Sequence, residues 1–466
     1  MHRDHNCGEL TIKNVGEEVL IAGWVQKIRN LGSMIFIDLR DQFGITQIVI
    51  SPEEHKEVLE NIVTECVVQV KGKVLERSNK NAKIPTGEIE IEASKIQILG
   101  KCKNVLPFEI NSEKTGEVKE DLRLEYRFMD LRNDKIHKNI ILRSEVMKTI
   151  RKKMDELGFT EIQTPILANS SPEGARDYLV PSRLHPGEFY ALPQAPQQFK
   201  QLLMVSGFDK YYQIAPCFRD EDPRADRAPG EFYQLDFEMS FAEQKDVLKV
   251  LGEVFTTVFK THTNWKVDET PFPEIPYLEA MEKYGSDKPD LRNPLIIQDV
   301  TKIFEGVDFN AFKGKTVKAI FVPNGAMQGR KFFDNMTEFA TNEVGAKGLA
   351  WVKVEEEGLA GGIAKFITPE VQKALEELGM VKGTAAFFMA DEFKTVQKIA
   401  GAIRIELANR LDLLEKDVYK LCYIVDFPMY ELSDEGTIDF NHNPFSMPQG
   451  GMETLMTKNP LEIVAY

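Results

Sequence analysis

The chain has 466 residues, of which 42% are hydrophobic and 28% are charged, with a formal net charge of −15. This length is too great for one core, so we expect two to four domains of a globular protein. The sequence lacks an apolar run of the roughly 20 residues that a membrane helix needs, and its N-terminus has no secretion signal. The net acidity weighs mildly against a nucleic-acid ligand, although a basic groove can exist on one domain of an acidic chain.

The cysteines are scattered along the chain, and none belongs to a CxxC pair. Their odd number and spacing indicate neither a disulfide framework nor a zinc site. A reducing cytoplasm suits them best. They are Cys7, Cys66, Cys102, Cys217 and Cys422.

The N-terminal part of the chain, residues 1–104, is predicted to be a small β-barrel. Short alternating stretches are separated by Gly, Asn and Asp, and the polar stretch PEEHKEVLEN is predicted to form a short helix between strands. The expected strands are residues 19–28, 33–41, 44–51, 66–76 and 87–99. Five strands with a helix partway favour a barrel of the oligonucleotide-binding (OB) type over another small barrel.

The remainder is predicted to be one domain interrupted by another. Residues 105–136 are mixed and polar and are interpreted as a hinge, and residues 137–294 begin a second domain. Residues 295–420 change to buried strands and helices and are interpreted as an α+β insertion, after which residues 421–466 resume the earlier pattern.

The second domain opens with a predicted helix, residues 139–159, followed by an extended segment in which Pro165 favours an edge or interface position. The apolar residues at helical spacing are expected on one face of this helix. They are Leu142, Val146, Ile150, Met154 and Leu157.

The most unusual stretch is FRDEDPRADRAPGEFYQLDFEMS, residues 218–240. Two strands flank a long charged loop, and alternation places Asp236 and Glu238 on the face opposite the apolar residues up to Phe241. Arg219 ends the first strand, and the loop carries further arginines, Arg224 and Arg227. Such a surface could hold phosphates and an amino group together; the alternative is an exposed, salt-bridged hairpin of little energetic value.

Three other segments carry candidate binding residues. In LPQAPQQFKQLLMVSG (192–207), Gln197 and Lys200 fall on one side of a predicted helix, although an ordinary surface lysine is the simpler interpretation of this segment alone. Glu173 lies in a Ser/Pro/Gly loop that either closes over a ligand or forms a turn. His442 in FNHNPFSMPQGG is either a polar contact or a capped loop residue.

Together these segments resemble a class II aminoacyl-tRNA synthetase of the bacterial aspartyl type. The blocks FRDED…FYQLDFE, ALPQAPQQFKQLLM, SPEGARDY, YGSDKPDLRNP and HNPFSMP match in the family's order, and GWVQKIRNLGSMIFIDLRD matches its OB domain. The resemblance implies an α+β multidomain fold. Its parts are an N-terminal OB-fold anticodon-binding barrel, an antiparallel catalytic sheet with flanking helices, and an inserted GAD-like domain at 295–420.

The resemblance assigns one set of residues to ATP. Arg219 would bridge the ATP α-phosphate and the substrate α-carboxylate as the catalytic group, with Asp220 beside it. Glu221 would contact the adenine end and Phe232 would stack on the adenine ring. Glu238 is a further candidate, near the metal-bound phosphates.

A second set would hold L-aspartate. Glu173 and Asp236 would hold the α-ammonium group, together with Arg219 at the α-carboxylate. Gln197 and Lys200 belong to the block that lines the aspartate pocket, with Lys200 pairing the side-chain carboxylate, and His442 would close the pocket. Because a neutral amide would leave Lys200 unpaired, such a pocket suits selection of aspartate over asparagine.

In the OB domain, Arg29, Phe36 and Gln47 match anticodon-contacting positions of the family. Phe36 on a barrel surface would suit stacking of splayed bases, but the alternation in SMIFIDL does not decide whether Phe36 faces the core instead.

The implied activity is that of an aspartate–tRNA ligase, a cytoplasmic homodimer that contacts its partner through the Pro165 segment and uses ATP, Mg²⁺, L-aspartate and tRNA(Asp), without membrane association. Three alternatives remain open. They are a relaxed synthetase that also charges asparagine tRNA, an asparaginyl-tRNA synthetase, and a non-catalytic RNA-binding paralogue.

The sequence departs from the family pattern at its end, because the last Gly-rich signature motif and the segment before it are absent. We therefore expect the gene to continue past Tyr466, and we expect the 466-residue chain alone to be unable to complete adenylation. Asn443 stands where many relatives have a second histidine.

Overall fold

The computed structural model describes residues 2–102, 105–110, 118–171, 174–221, 229–433, 435–441 and 446–465. The chain forms two compact units, Met1–Leu142 and Arg143–Tyr466. Within the described residues, no helix combines the length and apolar character needed to cross a bilayer.

The first unit contains a closed barrel in which the strands follow the order β1-β2-β3-β5-β4. Its elements are β1 (Glu18–Asn30), β2 (Ile35–Arg40), β3 (Ile45–Ile50), α1 (Lys56–Leu59), β4 (Val67–Glu76) and β5 (Ile89–Gly100). Alternate residues of the strands fill the barrel, because successive side chains point to opposite faces. This confirms the predicted OB-type barrel and the short helix between its strands.

The alternation in β2 settles the orientation of Phe36. Ile35, Ile37 and Leu39 are buried in the barrel core, whereas Phe36 is only partly buried and stands on the other face. Phe36 is therefore on the outside of the barrel and is not a core phenylalanine.

The segment after the barrel contains α2 (Glu120–Glu125), α3 (Arg127–Asp130) and the start of α4 (Asp134–Glu156). It has a small core of its own around Phe108, Ile110 and Met129. Arg132 ties it to the barrel: its guanidinium lies 5.3 Å from the centre of the Trp24 ring and donates to Glu65 at 2.9 Å. Part of the predicted hinge is thus packed against the barrel, while the exact domain boundaries stay a prediction.

The second unit begins with the rest of α4. The predicted apolar face of this helix is buried only toward its C-terminal end, since Met154 is fully buried whereas Leu142 is 46% exposed. The following elements are β6 (Thr160–Glu161), β7 (Leu179–Pro181), β8 (Phe189–Ala191), α5 (Gln197–Val205), β9 (Lys210–Phe218), β10 (Glu231–Met239), α6 (Gln244–His262), β11 (Lys266–Val267), β12 (Glu274–Pro276) and α7 (Tyr277–Tyr284).

A mixed α/β region comes next, with a five-stranded sheet in the order β13-β14-β17-β15-β16. Its elements are β13 (Ile297–Asp299), β14 (Thr316–Val322), α8 (Arg330–Asn342), β15 (Ala350–Glu355), β16 (Gly358–Ala360), α9 (Pro369–Glu377), β17 (Ala385–Asp391) and α10 (Phe393–Arg410). Apolar side chains are buried on both faces of this sheet.

After this sheet, the chain forms strands that pair with β11 and β12, which come before the sheet in sequence. β11 pairs in parallel with β18, and β12 pairs in parallel with β19. The elements of this part are β18 (Val418–Tyr419), β19 (Tyr423–Val425), β20 (Phe427–Pro428), β21 (Tyr430–Leu432), β22 (Ile438–Phe440), α11 (Gly451–Thr457) and β23 (Val464–Ala465). The five-stranded sheet therefore lies between two segments that pair with each other, as expected for an insertion.

Candidate active site

The site is built on the hairpin of β9 and β10. The strands are antiparallel, with Phe232 opposite Cys217 and Asp236 opposite Gln213, and β6 adds in parallel to the other edge of β9. Leu235, Phe237 and Met239 pack against the core formed with Met154, Phe159, Tyr212, Val250 and Val254. The apolar face fixes the hairpin and leaves the acids of β10 on the opposite face.

One part of the predicted apolar face is wrong. Phe241 was expected to continue the row of Leu235 and Phe237, but it follows the end of β10, adopts a φ of 55° and is fully exposed. The strand stops at Met239, so the alternation that governs β10 does not extend to Phe241.

Lys200 joins the two acids of the hairpin. Its Nζ lies 2.7 Å from Asp236 Oδ1 and 2.7 Å from Glu238 Oε1, and the Lys200 and Asp236 side chains are each 11% exposed. Burial alone would lower the pKa of Lys200, but hydrogen bonds and charge from Asp236 and Glu238 outweigh it and raise the pKa. The surface-lysine interpretation is therefore wrong: Lys200 is a buried cation between two carboxylates.

Tyr211 lies opposite Glu238 in the hairpin register and is fully buried. Burial raises the pKa of its hydroxyl, and the charges of Asp236 and Glu238 raise it further. The hydroxyl thus stays protonated beside the acids. Sequence reasoning missed Tyr211, although the pairing of 211 with 238 follows once the hairpin register is known.

Arg219 follows β9 directly. Its backbone N–H donates to the Gly230 carbonyl at 2.8 Å, and its guanidinium carbon lies 5.1 Å from the centre of the Phe232 ring. The Nε atom is buried and has no hydrogen-bond partner among the described residues. A guanidinium with an unused N–H donor can bind an oxyanion, and the adjacent aromatic ring can stack on a flat ring of the same ligand.

The other predicted site residues are distributed as follows. Gln197 is the first residue of α5 and is exposed, and Asp220 and Glu221 are exposed beyond the end of β9. Glu173, Arg224, Arg227, His442 and Asn443 lie outside the described residues.

A metal ligand set is not apparent in this part of the chain. Among the described ranges, no group of three or more His, Cys, Asp or Glu side chains is placed to hold a metal ion. Glu238, the metal candidate, accepts from Lys200 at 2.7 Å. The described side chains alone therefore do not form a metal cage.

The predicted anticodon residues form one cluster on the barrel. Arg29 stands opposite Phe36 across β1 and β2, and Arg29 Nη2 donates to Gln47 Oε1 at 2.9 Å. The other partners of this cluster are Asp38, which accepts from Arg29, and Arg77 and Glu90, which bond to the Gln47 amide.

Because of this network, Gln47, Phe36 and Arg29 differ in how freely each could contact a base. Gln47 is 6% exposed and its amide is hydrogen-bonded through both its oxygen and its nitrogen, so a base would have to displace a protein partner. Phe36 and Arg29 remain partly exposed. Arg77 and Glu90 were not singled out from the sequence, because only the register of β3 against β5 brings Gln47 beside Glu90.

Two family models match separate parts of the chain. Residues 119–465 match the model described as tRNA synthetases class II (D, K and N). Residues 19–99 match the model described as an OB-fold nucleic acid binding domain.

Individual relatives align over the whole chain. An aspartate–tRNA ligase of Streptomyces avermitilis is 55% identical over 471 residues, covering 100% of this chain and 80% of the relative. An aspartate–tRNA(Asp/Asn) ligase of Rickettsia felis is 54% identical over 482 residues, with the same coverage of the two chains.

Among solved structures, an asparaginyl-tRNA synthetase from Pyrococcus horikoshii complexed with asparaginyl-adenylate superimposes with a TM-score of 0.53. The match covers 87% of this chain and 96% of that chain at 19% identity. At this identity the match shows a shared fold only.

Proposed function

Since this chain belongs to the class II tRNA synthetases and to their aspartate–tRNA ligase family, we propose that it activates L-aspartate with ATP and transfers it to tRNA(Asp). The observation that carries this proposal is that Lys200 of α5 forms ion pairs with Asp236 and Glu238 on the hairpin that also presents Arg219. The lysine and the two carboxylates can bind the charged groups of an amino acid, and the nearby Arg219 guanidinium can bind a phosphate.

The reaction proceeds in two displacements. The α-carboxylate of aspartate attacks the α-phosphorus of ATP, which forms the acyl–phosphate bond and breaks the α–β anhydride, releasing pyrophosphate. The terminal ribose hydroxyl of tRNA then attacks the acyl carbon, loses its proton and releases AMP. Both steps depend on placement and charge neutralisation more than on a protein nucleophile.

Arg219 is assigned to the α-phosphate. Its unused Nε donor and its position beside the Phe232 ring allow the guanidinium to bond a phosphate oxygen while the ring stacks on adenine. Asp220 and Glu221 follow directly and are assigned to the nucleotide side, with Glu221 at the adenine end.

The aspartate pocket is assigned to the cluster around Lys200. The lysine would bind the substrate side-chain carboxylate, and Asp236 would hold the α-ammonium group, so that each substrate charge meets its opposite. Gln197 at the start of α5 completes this side. Glu173 and His442 are assigned by family resemblance.

Mg²⁺ is expected to arrive with ATP, since it is usually held by phosphates, waters and one or two carboxylates. Glu238 is the carboxylate proposed to reach it. Because the described side chains do not form a metal cage, the phosphates of ATP and water would have to supply most of the ligands of the ion.

Choice of substrate is the direct test. The complete gene product is expected to show ATP–pyrophosphate exchange with aspartate and at least 100-fold less with asparagine, because a neutral amide cannot replace the substrate carboxylate that is proposed to bind the Lys200 ammonium group. Preferential exchange with asparagine would favour an asparaginyl-tRNA synthetase. Absence of exchange with either amino acid would favour a non-catalytic RNA-binding protein.

A second candidate function concerns the tRNA. The Rickettsia felis relative is named for both tRNA(Asp) and tRNA(Asn), so a relaxed specificity is the specific alternative. Measuring aspartylation of purified tRNA(Asp) and tRNA(Asn) distinguishes the two specificities. Comparable kcat/KM values for the two tRNAs would show that the enzyme charges both and would replace the assignment to tRNA(Asp) alone.

Assembly and location follow the same proposal. We assign residues 1–104 to anticodon binding, 295–420 to a GAD-like insertion, and the protein to the cytoplasm as a homodimer. Exposed apolar side chains gather where β7 and β8 pair and Ala168 bridges Ala191. They are Leu167, Leu179, Phe189 and Tyr190. Such a cluster, close to Pro165, supports burial against a second subunit.

Phe36→Ala separates anticodon binding from activation. We expect it to raise the KM for tRNA(Asp) by roughly 5- to 100-fold, because stacking of one base contributes about 1–3 kcal/mol. Aspartate-dependent exchange without tRNA should stay within twofold of wild type.

Phe43→Ala is the matched control, since Phe43 is also exposed on the barrel but follows β2 outside the Arg29 cluster. An unchanged KM for tRNA in Phe36→Ala would remove Phe36 from the proposed anticodon surface.

A further inference from the structure

We propose that Gln194 and Arg176 are positioning residues that hold Arg219 in place, through a bracing segment formed by residues 174–178. The inference rests on the proposed function, because Arg219 is there assigned to the α-phosphate. It adds two residues that neither family resemblance nor sequence pattern had singled out.

Gln194 fixes the bracing segment from within. Its side chain is almost completely buried, at 3% exposure. The amide oxygen accepts from the Ala175 N–H at 3.0 Å, and the amide nitrogen donates to the Ala175 carbonyl at 2.8 Å and to Asp177 Oδ1 at 2.5 Å. One side chain therefore satisfies both backbone groups of Ala175, as a neighbouring strand would.

Arg176 connects the bracing segment to the turn after β9. The Asp220 N–H donates to the Arg176 carbonyl at 2.9 Å, and Arg176 Nε donates to the Asp220 carbonyl at 2.9 Å. Asp220 is the residue next to Arg219. Both polar backbone groups of Asp220 are thus held by the residue that follows Ala175.

Two further contacts hold the same elements together. The Leu192 N–H donates to the Tyr178 carbonyl, and the Phe218 N–H donates to the Pro193 carbonyl, each at 2.9 Å. At Gly230, whose carbonyl accepts from Arg219, an added Cβ would lie 2.5 Å from the Tyr178 hydroxyl. The bracing segment therefore lies between the segment of Gln194 and the turn of Arg219, in contact with both.

These contacts connect Gln194 to Arg219 through the bracing segment, so loss of the Gln194 amide should disturb the position of Arg219. Loss of the Gln194 amide leaves the Ala175 N–H and carbonyl without their partner, and a buried polar group without a hydrogen bond is costly. The bracing segment can recover these bonds only by moving toward water, which carries Arg176 and hence Asp220 with it. Since preorganised placement underlies transition-state stabilisation, a small shift of Arg219 reduces the rate of the chemical step.

The test is a double-mutant cycle in the complete gene product. Gln194→Met keeps a similar volume and removes the side-chain amide that makes all of these hydrogen bonds. We expect kcat for aspartate-dependent exchange, counted per titrated active site, to fall 10- to 100-fold. In an Arg219→Lys background the same change should lower kcat by less than twofold, because Gln194 acts through Arg219. Gln97→Met, at an exposed glutamine of the barrel strand β5, should match wild type.

Arg176→Ala provides an independent variant. Because Arg176 is exposed, we expect the substitution to leave folding intact. It removes one of the two bonds to Asp220 and should lower kcat 2- to 10-fold in the wild-type background and not in Arg219→Lys. An unchanged kcat in both single variants, or equal losses in both backgrounds, overturns the inference alone. Wild-type exchange by Arg219→Lys would overturn the proposed function and the inference with it.

Discussion

Arg219→Ala in the complete gene product is expected to lower aspartate-dependent ATP–pyrophosphate exchange by two to three orders of magnitude. The guanidinium is proposed to meet negative charge that develops at the α-phosphate, and removal of one such preorganised donor typically costs about 2.7–4 kcal/mol. The buried Nε has no protein partner to occupy it among the described residues, so the substitution breaks no internal hydrogen bond of that atom. The measurement is exchange rate against ATP concentration, normalised to folded protein.

Arg330→Ala is the control for this variant. Arg330 begins α8 in the inserted sheet region, and its side chain is 87% exposed. Its removal tests whether loss of any arginine charge slows exchange. Equal rates in Arg219→Ala and Arg330→Ala would place the phosphate site elsewhere in the molecule.

Lys200→Met is expected to damage both binding and stability. It removes the proposed partner of the substrate carboxylate, so the KM for aspartate should rise more than 100-fold. It also leaves Asp236 as a nearly buried carboxylate without its counter-ion, and breaking such a pair costs about 3–5 kcal/mol. Urea unfolding and exchange kinetics on the same samples measure the two effects.

The double variant Lys200→Met/Asp236→Asn separates the effect on aspartate binding from the effect on stability. It removes the buried carboxylate of Asp236 and leaves only Glu238, whose side chain is 37% exposed, without its lysine partner. Most of the unfolding free energy should therefore return while aspartate binding stays lost. Lys148→Met is the control, because Lys148 forms an exposed ion pair with Glu145 and such pairs contribute at most about 1 kcal/mol. Recovery of aspartate binding in the double variant would exclude Lys200 from the pocket.

The same cluster predicts a pH dependence. The pKa of Lys200 is raised in the folded protein, so its contribution to stability is fully present below the unfolded lysine pKa of about 10.4 and is lost as pH rises through the folded value. Wild-type unfolding free energy should therefore fall at alkaline pH more steeply than that of Lys200→Met. Parallel pH profiles of the two proteins would contradict a protonated, charge-paired Lys200.

Period-two alternation predicted the hairpin acids correctly, because Asp236 and Glu238 lie within one uninterrupted strand. The same rule was wrong at Phe241, where the strand has already ended. The burial of Lys200 was not predictable from its own helix, since it depends on where α5 meets β10. Gln194 and Arg176 lie in irregular segments without periodicity, so their contacts emerge only when three distant stretches of chain come together.

The parallel pairing of β11 with β18 and of β12 with β19 has a consequence for how this architecture can change. The five-stranded region departs from and rejoins the catalytic part at adjoining strands, so its two ends are already held together whatever lies between them. The entropy of closing a loop grows only slowly with its length. The five-stranded region can therefore become larger or smaller, or be replaced, during evolution while the hairpin that carries Arg219 and Asp236 keeps its geometry.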